Sequence, residues 1–122
     1  MIQFDPKQKI TPREKIKKRQ EFLEIIHQGQ RLETKYFVLY WRRRKDSLNR
    51  LGITVSKKMG KAVVRNRLKR IFREVFRKNK PLLENGLDIV INARKSAVYA
   101  SSKEIEEAYK NALRWIIGGQ TS

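Results

Sequence analysis

Val64, Leu68, Ile71 and Val75 recur at steps of four, three and four residues. That spacing keeps them on one face of an α-helix. At about 100° per residue, Arg65, Asn66, Lys69, Arg70, Arg73 and Arg77 fall on the other side. The pattern predicts a helix from about Lys61 to Asn79, with an apolar stripe for a core and a cationic face left in water. By the same count Phe76 falls toward the basic side; packing under the C-terminal helix is its expected role, and stacking the alternative. Arg13 to Gln28 also reads as a helix, with Ile16, Phe22, Ile25 and Ile26 on a broad face, Lys15, Lys17, Lys18 and Arg19 in water, and Gly29 as the stop.

Strands follow from a different rhythm. Tyr36 to Trp41 is an unbroken aromatic and aliphatic run, as in a strand buried on both faces. Leu51, Ile53 and Val55 alternate with Gly52, Thr54 and Ser56, the pattern of a half-buried strand. Arg42 to Asn49 between them reads as a charged loop. Pro81 and Gly86 bracket a turn region, and Leu87 to Ile91 is a short, mostly apolar strand. Ser101 or Ser102 can cap a last helix, in which Ile105, Tyr109, Ala112 and Ile116 share a face. The expected fold is α+β: a single compact domain with a small mixed sheet packed with helices, in the order α-β-β-α-β-α. A further short strand around Thr34 is left open. Residues 1–12 read as a flexible arm, residues 13–118 as one domain, and residues 119–122 as a tail.

Charge sharpens this picture. Between Ser56 and Lys80, 11 of 25 residues are Lys or Arg, and Glu74 is the one acid. Acids that would pair these bases at i+4 are missing, so a merely solvated face is a poor explanation. Over the whole chain, 30 basic against 12 acidic residues give a formal net charge of +18. Such an excess argues for a polyanionic partner, either RNA, DNA or an anionic membrane. The membrane is the weakest of these, because the longest apolar run, Tyr36–Trp41, is far below the ~20 residues of a spanning helix. The N-terminal stretch has no apolar core of the secretory kind.

Catalytic chemistry is hard to find. There is no cysteine, and His27 is the sole histidine, so thiolate chemistry and zinc-finger sites are excluded. Asp5, Asp46 and Asp88 are scattered, with no spacing that suits a two-metal nuclease, and no protein-bound metal is expected. Gly52 and Gly60 form neither a Walker loop nor a dinucleotide fingerprint. Phe22, Tyr36, Phe37, Tyr40 and Trp41 suit ordinary core packing, or for some of them a platform for unpaired bases.

Together these residues resemble a family. Arg50-Leu51-Gly52-Ile53-Thr54-Val55-Ser56-Lys57-Lys58, then Gly60-Lys61-Ala62-Val63-Val64-Arg65-Asn66-Arg67-Leu68-Lys69-Arg70, then Arg73-Glu74, is similar to the protein component of bacterial ribonuclease P. Arg65 to Arg70 matches that family's RNR signature. Phe22 followed by Gly29, Tyr36 to Tyr40, and Asp88 to Ile91 leading into Ala93-Arg94-Lys95 agree with it. The resemblance covers roughly residues 13–117. It implies a fold resembling the second domain of ribosomal protein S5, with a βαβ crossover of the rare left-handed kind. It implies a cytoplasmic subunit that binds ribonuclease P RNA and the single-stranded 5′ leader of precursor tRNA. The RNA, with magnesium, would cleave the leader off, and the protein alone would catalyse nothing.

By position, Lys57, Lys58, Lys61, Arg65, Asn66, Arg67, Lys69, Arg70, Arg73, Arg77 and Arg94 would contact RNA. Phe22, Ile26 and Tyr40 would line the leader cleft. The family often carries a second aromatic where this chain has Ile26, which leaves an apolar contact in place of a ring. No membrane and no obligate protein partner are implied. The rival readings are a structural RNA-binding protein such as a ribosomal protein, a duplex-DNA-binding protein that lays its basic helix in the major groove, and a self-sufficient nuclease.

Overall fold

The computed structural model describes residues 10–83 and 86–118. Its elements are α1 (Arg19–Gln28), β1 (Gln30–Glu33), β2 (Phe37–Arg43), β3 (Arg50–Thr54), α2 (Ala62–Lys78), β4 (Leu87–Ala93) and α3 (Ser102–Ile117). Short 3-10 turns span Pro12–Glu14, Lys57–Met59, Lys80–Leu82 and Lys95–Tyr99. The strands form one mixed sheet in the order β1-β2-β4-β3. β2 is antiparallel to both β1 and β4, and β3 is parallel to β4. A parallel pair needs a long crossover, and α2 supplies it.

Register sorts the side chains by face, because alternate residues point to opposite sides. On one face Phe37, Leu39 and Trp41 of β2 stand level with Ala93, Ile91 and Ile89 of β4. They meet Leu68, Ile71, Phe72, Val75 and Phe76 of α2, and Ile105, Tyr109, Leu113 and Ile116 of α3. The rings of Phe37 and Phe72 meet edge to face, 5.6 Å apart. On the other face Val90 packs with Ile16 and Ile25, and Phe22, Ile26 and Tyr40 close over this smaller cluster. The sheet thus carries a large core beneath α2 and α3 and a small one beneath α1.

Next to the small core lies an ionic knot. Asp88 begins the second-face row of β4, level with Arg42 and Arg50 on the neighbouring strands. Its buried carboxylate accepts from Arg42 Nε at 3.1 Å, Arg44 at 3.1 Å and Arg50 Nε at 2.8 Å. Arg50 and Arg42 also reach Glu21 and Glu24 on α1, at 2.9 and 3.5 Å. Burial alone would raise the pKa of Asp88, but the hydrogen bonds from Arg50 and Arg42 and the charges of Arg50 and Arg44 hold it below the ordinary value. Arg50 is itself held above its usual value, first by its hydrogen bond to Asp88.

Several expectations need correction. The first helix begins at Arg19, not Arg13. Glu14 accepts from the Thr11 N–H at 2.9 Å, which helps hold the 3-10 turn, and the next residues pair with a strand: Ile16 N–H donates to Leu51 O at 2.9 Å. Ile16 still reaches the small core, so its apolar signal was real while its helical phase was not. The expected charged loop is shorter, since Arg42 and Arg43 finish β2. The order gains a strand, β1, and becomes α-β-β-β-α-β-α. With mostly exposed residues and half-buried Leu32, β1 gives no apolar signal. Phe76, by contrast, is fully buried and packs, as expected. Of the expected arm, Ile10 packs against the large core; residues 1–9 and the tail at 119–122 lie outside the described residues.

Two predictions follow from these cores. Tyr109 is fully buried, and its hydroxyl has no hydrogen-bond partner among the described residues; burial pushes the phenol above its ordinary pKa. Tyr109→Phe is therefore expected to leave stability unchanged or raise it by about 1 kcal/mol, whereas Tyr109→Ala is expected to cost about 3–5 kcal/mol, both read by urea unfolding. A carboxylate with a depressed folded pKa adds stability above its unfolded pKa of about 3.9. That stability is lost as pH falls through the folded value. Asp88→Asn is expected to destabilise by about 3–5 kcal/mol at pH 7, and to lose less further stability than the parent protein as the pH falls below about 4.

Candidate nucleic-acid interface

The approach to α2 is built to expose cations. Ser56 follows β3, and its hydroxyl accepts from Lys58 N–H at 3.1 Å, capping the Lys57–Met59 turn. Gly60 then adopts φ of +138°, a conformation that L side chains rarely take, and the chain enters α2 with Lys61 at the N-cap. Lys61 has no side-chain oxygen, so no side-chain cap covers the first amides of α2, and no acid lies in the first turn. Such an end favours anions. Lys57, Lys58 and Lys61 are all exposed beside it.

Beyond that end, α2 presents two basic flanks. Lys69 and Arg73 face the sheet edge and α1. With Lys15, Phe22, Gly52 and Ile53 they help line a cavity of about 210 Å³. Arg70 and Lys78 lie on the other flank, where with Ser102 and Glu106 they help line a cavity of about 180 Å³ beside α3. Arg67 donates to the Ala100 carbonyl at 3.3 Å, just before α3. Asn66 is exposed between the two flanks. Arg65 turns back and donates through Nε to Gly60 O at 3.2 Å.

The proposed cleft residues do come together. Phe22, Ile26 and Tyr40 are half-buried around Val90. Gly52 stands level with Val90, and Val90 with Tyr40. A Cβ on Gly52 would come within 2.6 Å of the Phe22 ring, so the glycine lets the ring lie against the strand. Tyr40 is level with Arg31 on β1. A hydrogen bond to Tyr40, followed by the charge of Glu33, holds Arg31 above its ordinary pKa.

Two predicted contacts sit differently. Arg77 is largely covered and binds Glu74 through two bonds, at 2.6 and 3.2 Å, so it faces its own helix as much as any partner. Arg94 is exposed but donates to Thr34 O at 3.0 Å, at the end of the sheet where α2 begins. Pattern reading missed Lys15, which it assigned to a wet helical face, and Arg31, which lies on a strand with no apolar rhythm. The closeness of Lys15 to Phe22 has no local signal; it depends on the pairing of Lys15 with Leu51.

The acids are distributed in the opposite way. Every described carboxylate has a neighbour that engages it. Glu14 meets Lys80, Asp46 meets Arg44, and Glu104 caps Ser101 and accepts from Tyr36. Asn79 donates to Glu106, and Glu33 and Glu107 pair with Arg31 and Lys110. By contrast Lys57, Lys58, Lys61, Lys69, Arg70 and Arg73 have no carboxylate partner among the described residues. No group of three or more His, Asp or Glu among the described residues could hold a metal ion. No described helix is long and apolar enough to cross a membrane.

Comparison with known proteins places this arrangement. The family model for ribonuclease P matches residues 10–116. The ribonuclease P protein component of Clostridium kluyveri is 42% identical over 102 residues, covering 82% of this chain and 91% of that one. That of Thermotoga sp. strain RQ2 is 44% identical over 107 residues, covering 88% and 85%. Among solved structures, the Thermotoga maritima RNase P protein aligns with a TM-score of 0.77 at 38% identity, covering 83% of this chain and 96% of that chain. The Staphylococcus aureus RNase P protein aligns with a TM-score of 0.77 at 35% identity, covering 84% and 94%. With the family model spanning nearly the whole described region and these relatives matching in both sequence and fold, the chain belongs to the ribonuclease P protein family.

Proposed function

We propose that this chain binds the RNA subunit of ribonuclease P through α2 and its approach, and takes the single-stranded 5′ leader of precursor tRNA in the cleft beside α1. One observation carries the reading. The Phe22 ring and the cations Lys69 and Arg73, which no carboxylate offsets among the described residues, line the same cavity. A flat apolar ring beside fixed positive charge suits an unpaired nucleotide, whose base stacks while its phosphate is neutralised. Duplex DNA would present its bases already stacked, with no use for the ring. A purely structural RNA-binding role explains the cations and leaves the cleft without purpose.

Cleavage then belongs to the RNA. The described carboxylates are engaged in internal contacts, which supports a protein that positions and neutralises, with magnesium held by the RNA. By screening repulsion between phosphates, α2 would let the RNA fold and bind substrate at a lower magnesium concentration. The expected setting is the cytoplasm, with precursor tRNA and the RNA subunit as partners and no obligate protein partner. If six to ten phosphates are neutralised, affinity is expected to fall about 10³–10⁵-fold between 50 and 200 mM salt.

The test is cleavage of 5′-labelled precursor tRNA at low magnesium by protein alone, by a cognate ribonuclease P RNA alone, and by both. Activity is expected only in the mixture, at the mature 5′ end; cleavage by the protein alone would refute the division of labour. Within the reconstituted enzyme, Tyr40→Ala is expected to weaken binding of leader-bearing precursor by ~1–3 kcal/mol and to leave binding of mature tRNA nearly unchanged. Equal weakening of both would remove Tyr40 from the leader cleft.

A further inference from the structure

Tyr99 lies outside both the cleft and the signature helix. It closes the Lys95–Tyr99 turn that follows β4. That turn is held firmly on both sides. Ala97 and Ala100 are buried, and Val98 packs against the large core. Ala97 N–H donates to Arg94 O at 2.9 Å, Ala100 N–H to Ala97 O at 3.2 Å, and the Ser96 hydroxyl to Lys35 O. Immediately afterwards Ser101 caps α3, its hydroxyl accepting from Glu104 N–H at 3.1 Å. Yet the Tyr99 side chain is 86% exposed, the highest value among the exposed large apolar residues of the described chain. A fixed backbone that presents a bare aromatic ring has met the ordering cost of a stacking partner in advance.

The surroundings are cationic. Arg67 of α2 donates to the carbonyl of Ala100, next to Tyr99. Val63, one turn earlier on the same helical face, is 75% exposed. Arg70 continues that face toward α3. Lys95 and Lys103 are exposed on the turn itself and in the first turn of α3. This is the flank of α2 opposite Lys69 and Arg73, so a strand held in the Phe22 cleft does not occupy it.

We propose that Tyr99, with the exposed Val63 on the facing flank of α2, is a second stacking site, and that its occupant is an unpaired base of the RNA subunit whose flanking phosphates meet Arg70, Lys95 and Lys103. The argument is charge complementarity: an exposed aromatic ring bordered by cations suits a nucleobase on a phosphate backbone, and suits neither an apolar protein face nor a second copy of a chain with a net charge of +18. The proposal rests on the ribonuclease P reading, and extends the RNA footprint from α2 to the turn after β4.

The experiment is equilibrium binding of the full chain to ribonuclease P RNA without tRNA, as a function of salt, for the parent, Tyr99→Ala, Tyr99→Phe and Arg70→Ala. Thermal unfolding provides the control, and the exposure of Tyr99 predicts unchanged folding. Tyr99→Ala is expected to weaken binding by about 5- to 150-fold with an unchanged salt slope, because a stack and no ion contact is lost. Tyr99→Phe is expected to bind like the parent. Normal binding by Tyr99→Ala, while Arg70→Ala weakens it, would overturn the stacking site and leave the ribonuclease P reading intact. A selective loss of leader-bearing precursor tRNA with Tyr99→Ala would overturn the assignment to the RNA subunit. Failure of the parent itself to bind the RNA would overturn both this proposal and the function beneath it.

Discussion

Three guanidinium groups converge on one buried carboxylate, that of Asp88, and much of the fold is arranged to permit the meeting. A chain with a net charge of +18 repels itself. Here the local remedy is geometric. Arg42 and Arg50 come from the two strands that flank β4, so the knot forms only when both pairings are in register. Glu21 and Glu24 extend the knot to α1 and hold that helix over the second face of the sheet. Placing the acids where they tie strands and α1 together leaves Lys69, Arg70 and Arg73 on α2 with no carboxylate partner among the described residues.

β4 is the structural counterpart of that charge pattern. It lies between β2 and β3, and its alternate residues serve different tasks. Leu87, Ile89, Ile91 and Ala93 seat α2 and α3, while Asp88 and Val90 seat α1. Its parallel pairing with β3 obliges the chain to cross over through α2, which sets Lys69 and Arg73 beside Phe22, a residue 47 positions earlier than Lys69 in the chain. The cavity is therefore a consequence of strand order, with each wall supplied by a different segment.

The parts legible in the sequence were those with strong periodicity. The stripe Val64, Leu68, Ile71 and Val75, the run from Tyr36 to Trp41, and the Ser101 cap all lie where amphipathicity and capping rules put them. The residues around Arg65 to Arg70 were legible by resemblance, and the structure puts them on an accessible helix. The start of α1 was misjudged because Ile16 is apolar at a helical spacing but reaches its core from an extended segment. β1 was left open because a polar edge strand has almost no local signature. Phe76 packs as expected although the helical count sets it toward the basic side, because α3 widens the buried face. The company kept by Lys15 and Arg31 depends on tertiary pairing, which no local pattern encodes.

The segment before α1 has one more effect. β3 is an outer strand of the sheet, and such strands invite backbone pairing with other molecules. Lys15 bridges to Leu51, and Ile16 N–H takes the carbonyl of Leu51. One side of the sheet is thereby partly occupied by the chain itself. The opposite margin, β1, has only four residues, with charged Arg31 and Glu33 among them. Both borders thus discourage strand-to-strand association between copies of the chain.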